Sequence, residues 1–146
     1  KEFTIAGRIL QGNVFPTNSG KACFQKLNIP ISEKENEQLF LMTIRSEGQF
    51  NTVVYEEHDY YRGQSHRNII LLNEEDMKNR GLTNGSIVRV SSSTGELSGI
   101  EVAPYNISKG SAAMYYPEAN VLVPRFVDKR SRTPAFKKVL INISEE

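Results

Sequence analysis

Apolar residues in this chain come in short runs, and the runs are strand-sized rather than helix-sized. Leu39–Ile44 (LFLMTI) and residues 68–72 (NIILL) are near-continuous apolar segments, the pattern of strands covered on both faces. Residues 86–91 and 97–103 alternate instead, the first with Ile87 inward and Val88 and Val90 as further inward candidates. Residues 111–116 and 138–143 complete the set, and residues 22–29 form a mixed run after the turn-rich PTNSGK. Only residues 74–80 read as a clear helix, of roughly two turns. Asn73 can cap its start, Glu74, Glu75 and Asp76 fill the first turn, Lys78 and Arg80 the last, and Gly81 follows. SEKENEQ offers Ser32 as the cap of one further turn near residues 33–38, and Asn84-Gly85 marks a turn before the next strand. Many short strands, regular turns and one or two short helices predict a mainly β, closed or nearly closed barrel.

The chain has 146 residues, the usual size of one domain, and its 38% of hydrophobic residues suffices for one core. A net charge of +1 gives no general field for nucleic acid or an acidic membrane, and neither is expected as a partner. The single Cys23 excludes an internal disulfide framework and, between Ala22 and Phe24, reads as a buried strand thiol. No apolar run approaches the roughly 20 residues that span a bilayer, and KEFTIAGRIL lacks the apolar centre of a signal peptide. The chain begins with Lys1, which suggests a processed product or a piece of a longer polypeptide.

Two long irregular stretches, residues 46–67 and 117–134, interrupt the strand pattern, and long loops in small domains are commonly functional. The first follows an apolar strand with RSEGQFNT and mixes Arg45, Arg62 and Arg67 with Tyr55, Tyr60 and Tyr61. Arginines and backbone N–H groups hold phosphate, and Gln, Asn and Ser can read a polar heterocycle. Glu47, Glu56, Glu57 and Asp59 offset the positive charge, which argues against a nucleic-acid surface. His58 and His66 match no standard metal spacing and read as exposed or structural. Lys129, Arg130 and Arg132 read as a solvated basic run. There is no G-x-S-x-G, Walker A loop, C-x-x-C or H-E-x-x-H, so no catalytic residue and no metal ligand is assigned. The residues themselves indicate a site that binds, without a group that reacts.

An ordered set of segments resembles a known module. PTNSGKACF, LMTIRSEGQFNT, NEEDMKNRGLTNGSIVRV, YYPEANVLVP and TPAFK are similar to successive motifs of the C-terminal dinucleotide-binding domain of molybdopterin oxidoreductases. The R-S-x-x-Q-x-N-T variant with a tyrosine-rich loop resembles the formate-dehydrogenase-like, or YdeP-like, subgroup. Ile44 stands where many relatives have Gly, and Glu47-Gly48 where the subgroup often has His-Asp. The resemblance implies a double-psi β-barrel and a cytoplasmic setting. Its implied ligand is bis(molybdopterin guanine dinucleotide). By motif match, Thr43, Arg45, Ser46, Gln49, Asn51 and Thr52 would contact the cofactor, as would Tyr116, Pro117, Glu118, Asn120 and Lys137. Molybdenum and an iron–sulfur cluster would belong to other domains of the same polypeptide, leaving this domain inactive by itself. Two other readings share the barrel: a stand-alone protein-binding adaptor, and a small enzyme of the aspartate-decarboxylase type. The latter would need self-processing at Gly85-Ser86 or Gly110-Ser111.

Overall fold

The computed structural model describes residues 15–29, 35, 37–46, 48–49 and 56–146. The chain divides into two units, Lys1–Ser32 and Glu33–Glu146. In the first, PTNSGK makes the expected turn: the Gly20 N–H donates to the Thr17 carbonyl at 2.9 Å, and Thr17 Oγ1 to the Lys21 carbonyl at 2.7 Å. Residues 22–29 carry no strand, which corrects the expectation for that run. A strand needs a ladder partner, and none of these described residues has one. Cys23 is exposed rather than buried for the same reason. Ser32 and residues 33, 34 and 36 of the anticipated second turn lie outside the described residues. Gln38 closes that segment, donating its N–H to the Glu35 carbonyl at 3.1 Å.

The second unit is a closed six-stranded barrel. Its strands are β1 (Leu39–Ile44), β2 (Ile69–Leu72), β3 (Ile87–Ser91), β4 (Glu96–Pro104), β5 (Ser111–Tyr115) and β6 (Val139–Glu145), with one α-helix, α1 (Glu74–Asn79). Around the barrel the order is β1-β5-β2-β4-β3-β6. β1 runs parallel to β5 and β2 to β4, while the other four pairings are antiparallel. This mixed closure is a double-psi β-barrel, as the resemblance implied. It leaves no sheet edge to cover.

Side-chain alternation explains why the strands sit as they do. In β2 all four residues are buried: Ile70 and Leu72 join the barrel interior, and Ile69 and Leu71 a second cluster outside it with Ala113 and Tyr115. β1 alternates, with Leu39, Leu41 and Thr43 buried and Phe40, Met42 and Ile44 half-buried. In β3, Val88 and Val90 point inward and Ile87 is exposed, opposite Glu101, which corrects the inward assignment of Ile87. A strand offers alternate residues to one face, so Val88 and Val90 exclude Ile87 from the interior. The second irregular stretch is not wholly irregular, since Glu118–Leu122 forms a 3-10 helix that buries Ala119 and Leu122.

Helix α1 follows its sequence signals closely. Asn73 Oδ1 accepts the Glu75 N–H at 2.9 Å, and Asn73 Nδ2 donates to the Ile107 carbonyl at 2.7 Å. At the other end Leu82 N–H donates to the Met77 carbonyl and Gly81 N–H to that of Lys78. That is a Schellman ending, with Gly81 at φ +71°. Buried Asp76 also accepts the Gly110 N–H at 2.6 Å and so ties the helix to the start of β5. Asn73→Ala removes a cap and a cross-loop bond together, so urea unfolding should show a loss of about 1–2 kcal/mol. Replacing exposed Glu74 with Ala should change stability by no more than about 0.5 kcal/mol.

Candidate functional site

Because β1 and β5 are parallel and adjacent, their carboxyl ends emerge at the same end of the barrel. The ladder continues one step beyond β5, where Tyr116 N–H donates to the Ile44 carbonyl at 2.8 Å. The segment before β6 joins them: Thr43 N–H donates to the Phe136 carbonyl at 2.9 Å, and Lys137 Nζ to the Thr43 carbonyl. Residues 45–46 and 48–49, residues 115–118 and residues 135–137, distant in sequence, therefore meet in space.

A buried arginine holds two of these segments together. Arg67, 4% exposed, donates from Nε to Glu118 Oε1 at 2.7 Å and from Nη2 to Oε2 at 3.1 Å. Its Nη1 donates to Ser46 Oγ at 2.7 Å, and Nη2 also reaches the Tyr116 carbonyl. Gln49 repeats the link, donating from Nε2 to the Tyr116 carbonyl at 2.9 Å while its Oε1 accepts the Ser46 N–H at 3.2 Å. The guanidinium lies over the Tyr115 ring, 5.1 Å from its centroid. A buried ion pair adds little net stability, but stranding one partner costs about 3–5 kcal/mol.

Residues 59–64 form a second support. Asp59, 1% exposed, accepts the Tyr115 hydroxyl at 2.7 Å and Arg62 Nη1 at 2.6 Å, both on Oδ2, while Oδ1 accepts the Tyr61 N–H. Arg62 Nη1 also donates to the Arg45 carbonyl at 3.0 Å. Burial opposes the charge on Asp59, but the Tyr115 hydroxyl and Arg62 together outweigh it and hold the carboxyl below its usual range. Burial, then the hydrogen bond to Asp59, pushes the Tyr115 phenol well above its ordinary value.

Between these supports opens a cleft of about 670 Å³ lined by Thr43, Ile44, Arg45, Arg62, Tyr116, Phe136 and Lys137. Three of the lining residues are cationic and none of the described ones is acidic. Arg45 stacks toward the Tyr116 ring at 5.9 Å from its centroid. The residues expected at a binding site thus divide into two groups. Arg45, Tyr116 and Lys137 line the cleft, with the backbone of Thr43 behind them. Ser46, Gln49 and Glu118 turn toward Arg67, and Pro117 and Asn120 build the 3-10 helix, whose Asn120 N–H donates to the Pro117 carbonyl. Asn51 and Thr52 lie outside the described residues. Arg67, Asp59 and Tyr115 were not expected at the site. Arg62 and Arg67 stood out in the sequence only as loop cations, and nothing local distinguishes a buried arginine from a solvated one. The spacing of Asp59 and Arg62 was the one available signal. Among the described residues no group of three or more His, Cys, Asp or Glu is placed to hold a metal ion. His66 instead pairs with Glu101 at 2.9 Å.

Residues 39–140 match the model of the molydopterin dinucleotide binding domain. The chain belongs to this family. The chain is 34% identical over 140 residues to an uncharacterized oxidoreductase of Mycobacterium tuberculosis, across 88% of this chain and 18% of that protein. It is 28% identical over 139 residues to protein YdeP of Escherichia coli, across 87% of this chain and 18% of YdeP. It thus spans about a fifth of the length of these relatives. Among solved structures, acetylene hydratase from Pelobacter acetylenicus shares the fold, with a TM-score of 0.54 at 12% identity over 74% of this chain and 18% of that one.

The Asp59–Tyr115 pair makes the stability of this domain depend on pH at both extremes. Asp59 has a lowered folded pKa, so its contribution is present above the ordinary carboxyl value of 3.8 and lost as pH falls through the folded value. Tyr115 has a raised one, so its contribution is present below the ordinary phenol value of 10.0 and lost as pH rises through the folded value. Tyr115→Phe should lower stability at neutral pH by about 1–3 kcal/mol and flatten the alkaline limb, read by denaturant melts across the pH range. An unchanged alkaline limb would place the titrating group elsewhere.

Proposed function

We propose that the chain binds molybdopterin guanine dinucleotide in the cleft at the carboxyl ends of β1 and β5. In this reading it is one domain of a larger molybdenum oxidoreductase of the formate-dehydrogenase-like kind, in a cytoplasmic setting. The observation that carries the reading is the convergence of Arg45, Arg62 and Lys137 on one cleft whose described lining has no carboxylate. A pyrophosphate needs this arrangement, since its oxygens take charge-assisted bonds from several cations at once. The ring of Tyr116 and the exposed side chain of Asn120 suit the planar, hydrogen-bonding edges of pterin and guanine. The names of the mycobacterial relatives supply the oxidoreductase class, and the 18% they share with this chain supplies the idea of one domain among several. When bound, the molybdenum cofactor supplies the redox chemistry, and this chain binds and orients it. Arg62, held by Asp59, and Lys137, held by the Thr43 carbonyl, enter the site already aimed.

Other walls of the site belong to the rest of the proposed enzyme, so the chain alone should bind GDP weakly and show no turnover with formate or artificial electron carriers. In a titration with GDP followed by amide shifts, changes should concentrate at Arg45, Ser46, Gln49 and residues 116–120 and spare α1. Arg45→Ala should weaken binding about tenfold or more with little loss of fold, because a charge-assisted bond contributes about 1.5–3 kcal/mol and the residue is exposed. Shifts centred on Lys129, Arg130 and Arg132 would indicate a generic basic patch and sink the reading.

A further inference from the structure

We infer that Arg67 is a positioning residue for the anion cleft, which rests on the function just proposed. It touches none of the open volume itself. Its role would be to fix the separation of two turns that supply cleft residues from distant parts of the sequence. One is the Arg45–Ser46 turn after β1, and the other the Tyr116–Glu118 turn after β5. Four features support this. The guanidinium is almost fully buried, so a phosphate in the cleft cannot reach it. Its donors are divided between the turns, with Ser46 Oγ on one and the Tyr116 carbonyl and the Glu118 carboxylate on the other. Gln49 bridges the same turns and accepts from Arg67 Nη2 at 3.4 Å, so both links belong to one network centred on Arg67. Finally, Arg45 and the Tyr116 ring, which the turns carry, meet at the cleft wall.

Glu118 has a role of its own in this arrangement. Both its oxygens engage Arg67, which makes it the counter-charge of a guanidinium buried beneath a cationic cleft. Arg67 therefore adds no net charge to the surface that an anion meets. The cleft draws its field from Arg45 and Lys137, while Arg62, paired with Asp59, adds aimed donors. A lysine at position 67 would keep the charge but lack the planar fork that reaches Ser46 and both Glu118 oxygens together.

The test uses the full chain and reads two quantities. The first is hydrogen exchange without ligand, and the second is GDP affinity by amide-shift titration. In Arg67→Lys, protection should fall at least tenfold at the Gln49, Tyr116 and Asn120 amides, while amides of β2 and β4 keep theirs. The GDP dissociation constant should rise about tenfold although every cleft cation remains. If Arg67→Lys does not fold, the Arg67→Met/Glu118→Met pair removes both charges together and is judged by the same exchange pattern. Unchanged protection at the two turns, or wild-type affinity with protection lost, would overturn the inference. Absence of GDP binding by the wild-type chain would instead overturn the proposed function. The exchange pattern would still decide whether Arg67 couples the turns.

Discussion

The parallel pairing of β1 with β5 is the constraint from which the site follows. Antiparallel neighbours send their ends in opposite directions, so a cleft between them is built from one exit and one entry. Parallel neighbours send both exits the same way. Here the Phe40–Ser111 to Ile44–Tyr115 register makes the two exits level, and the Tyr116-to-Ile44 bond carries that level one residue beyond the sheet. The two polar turns then face each other, and Arg67 and Gln49 link them. The approach of Phe136 and Lys137 beside Thr43 gives the cleft its third side.

Much of this fold can be read from the chain, and the reason differs by element. α1 is legible because each of its signals acts locally: Asn73 caps it, acids fill its first turn and Gly81 ends it. β1 and β2 are legible because burial on two faces removes polar residues from the run. Residues 22–29 mislead because the same apolar content needs a pairing partner, and pairing is not a property of the segment. Ile87 misleads because alternation fixes which residues share a face without saying which face is inside. The packing of Val88 and Val90 against the interior decides that.

The sequence marked which segments meet at the cleft more clearly than what each side chain does there. Motif matching selects Arg45, Ser46, Gln49, Tyr116, Glu118 and Lys137, and the fold brings all six to one end of the barrel. It does not separate side chains that line the cleft from those that hold its walls. Ser46, Gln49 and Glu118 are polar residues of the kind a heterocycle would need, yet their hydrogen bonds are made inside the protein. Such groups must be satisfied when buried, and a single arginine with its carboxylate does most of that here. Arg67 was hidden for a related reason. Its partners lie 21 and 51 residues away, beyond any local pattern.

A cleft of cations must hold its charges in place against their mutual repulsion until a ligand arrives, and two anchors solve this in different ways. Arg62 rests on the Asp59 carboxylate, which is itself held by the Tyr115 hydroxyl, so this cation is neutralised from behind and aimed forward. Lys137 rests on a backbone carbonyl and keeps its whole charge for the cleft. Tyr115 is common to both supports, since its hydroxyl fixes Asp59 while its ring lies under Arg67. The last residue of β5 thereby joins the barrel's outer core to the loop of residues 59–64 and to the turn after β1. Rigidity supplied in this way reduces the ordering cost of binding, and a multiply charged ligand gains most from it because each of its contacts depends on the others being in place.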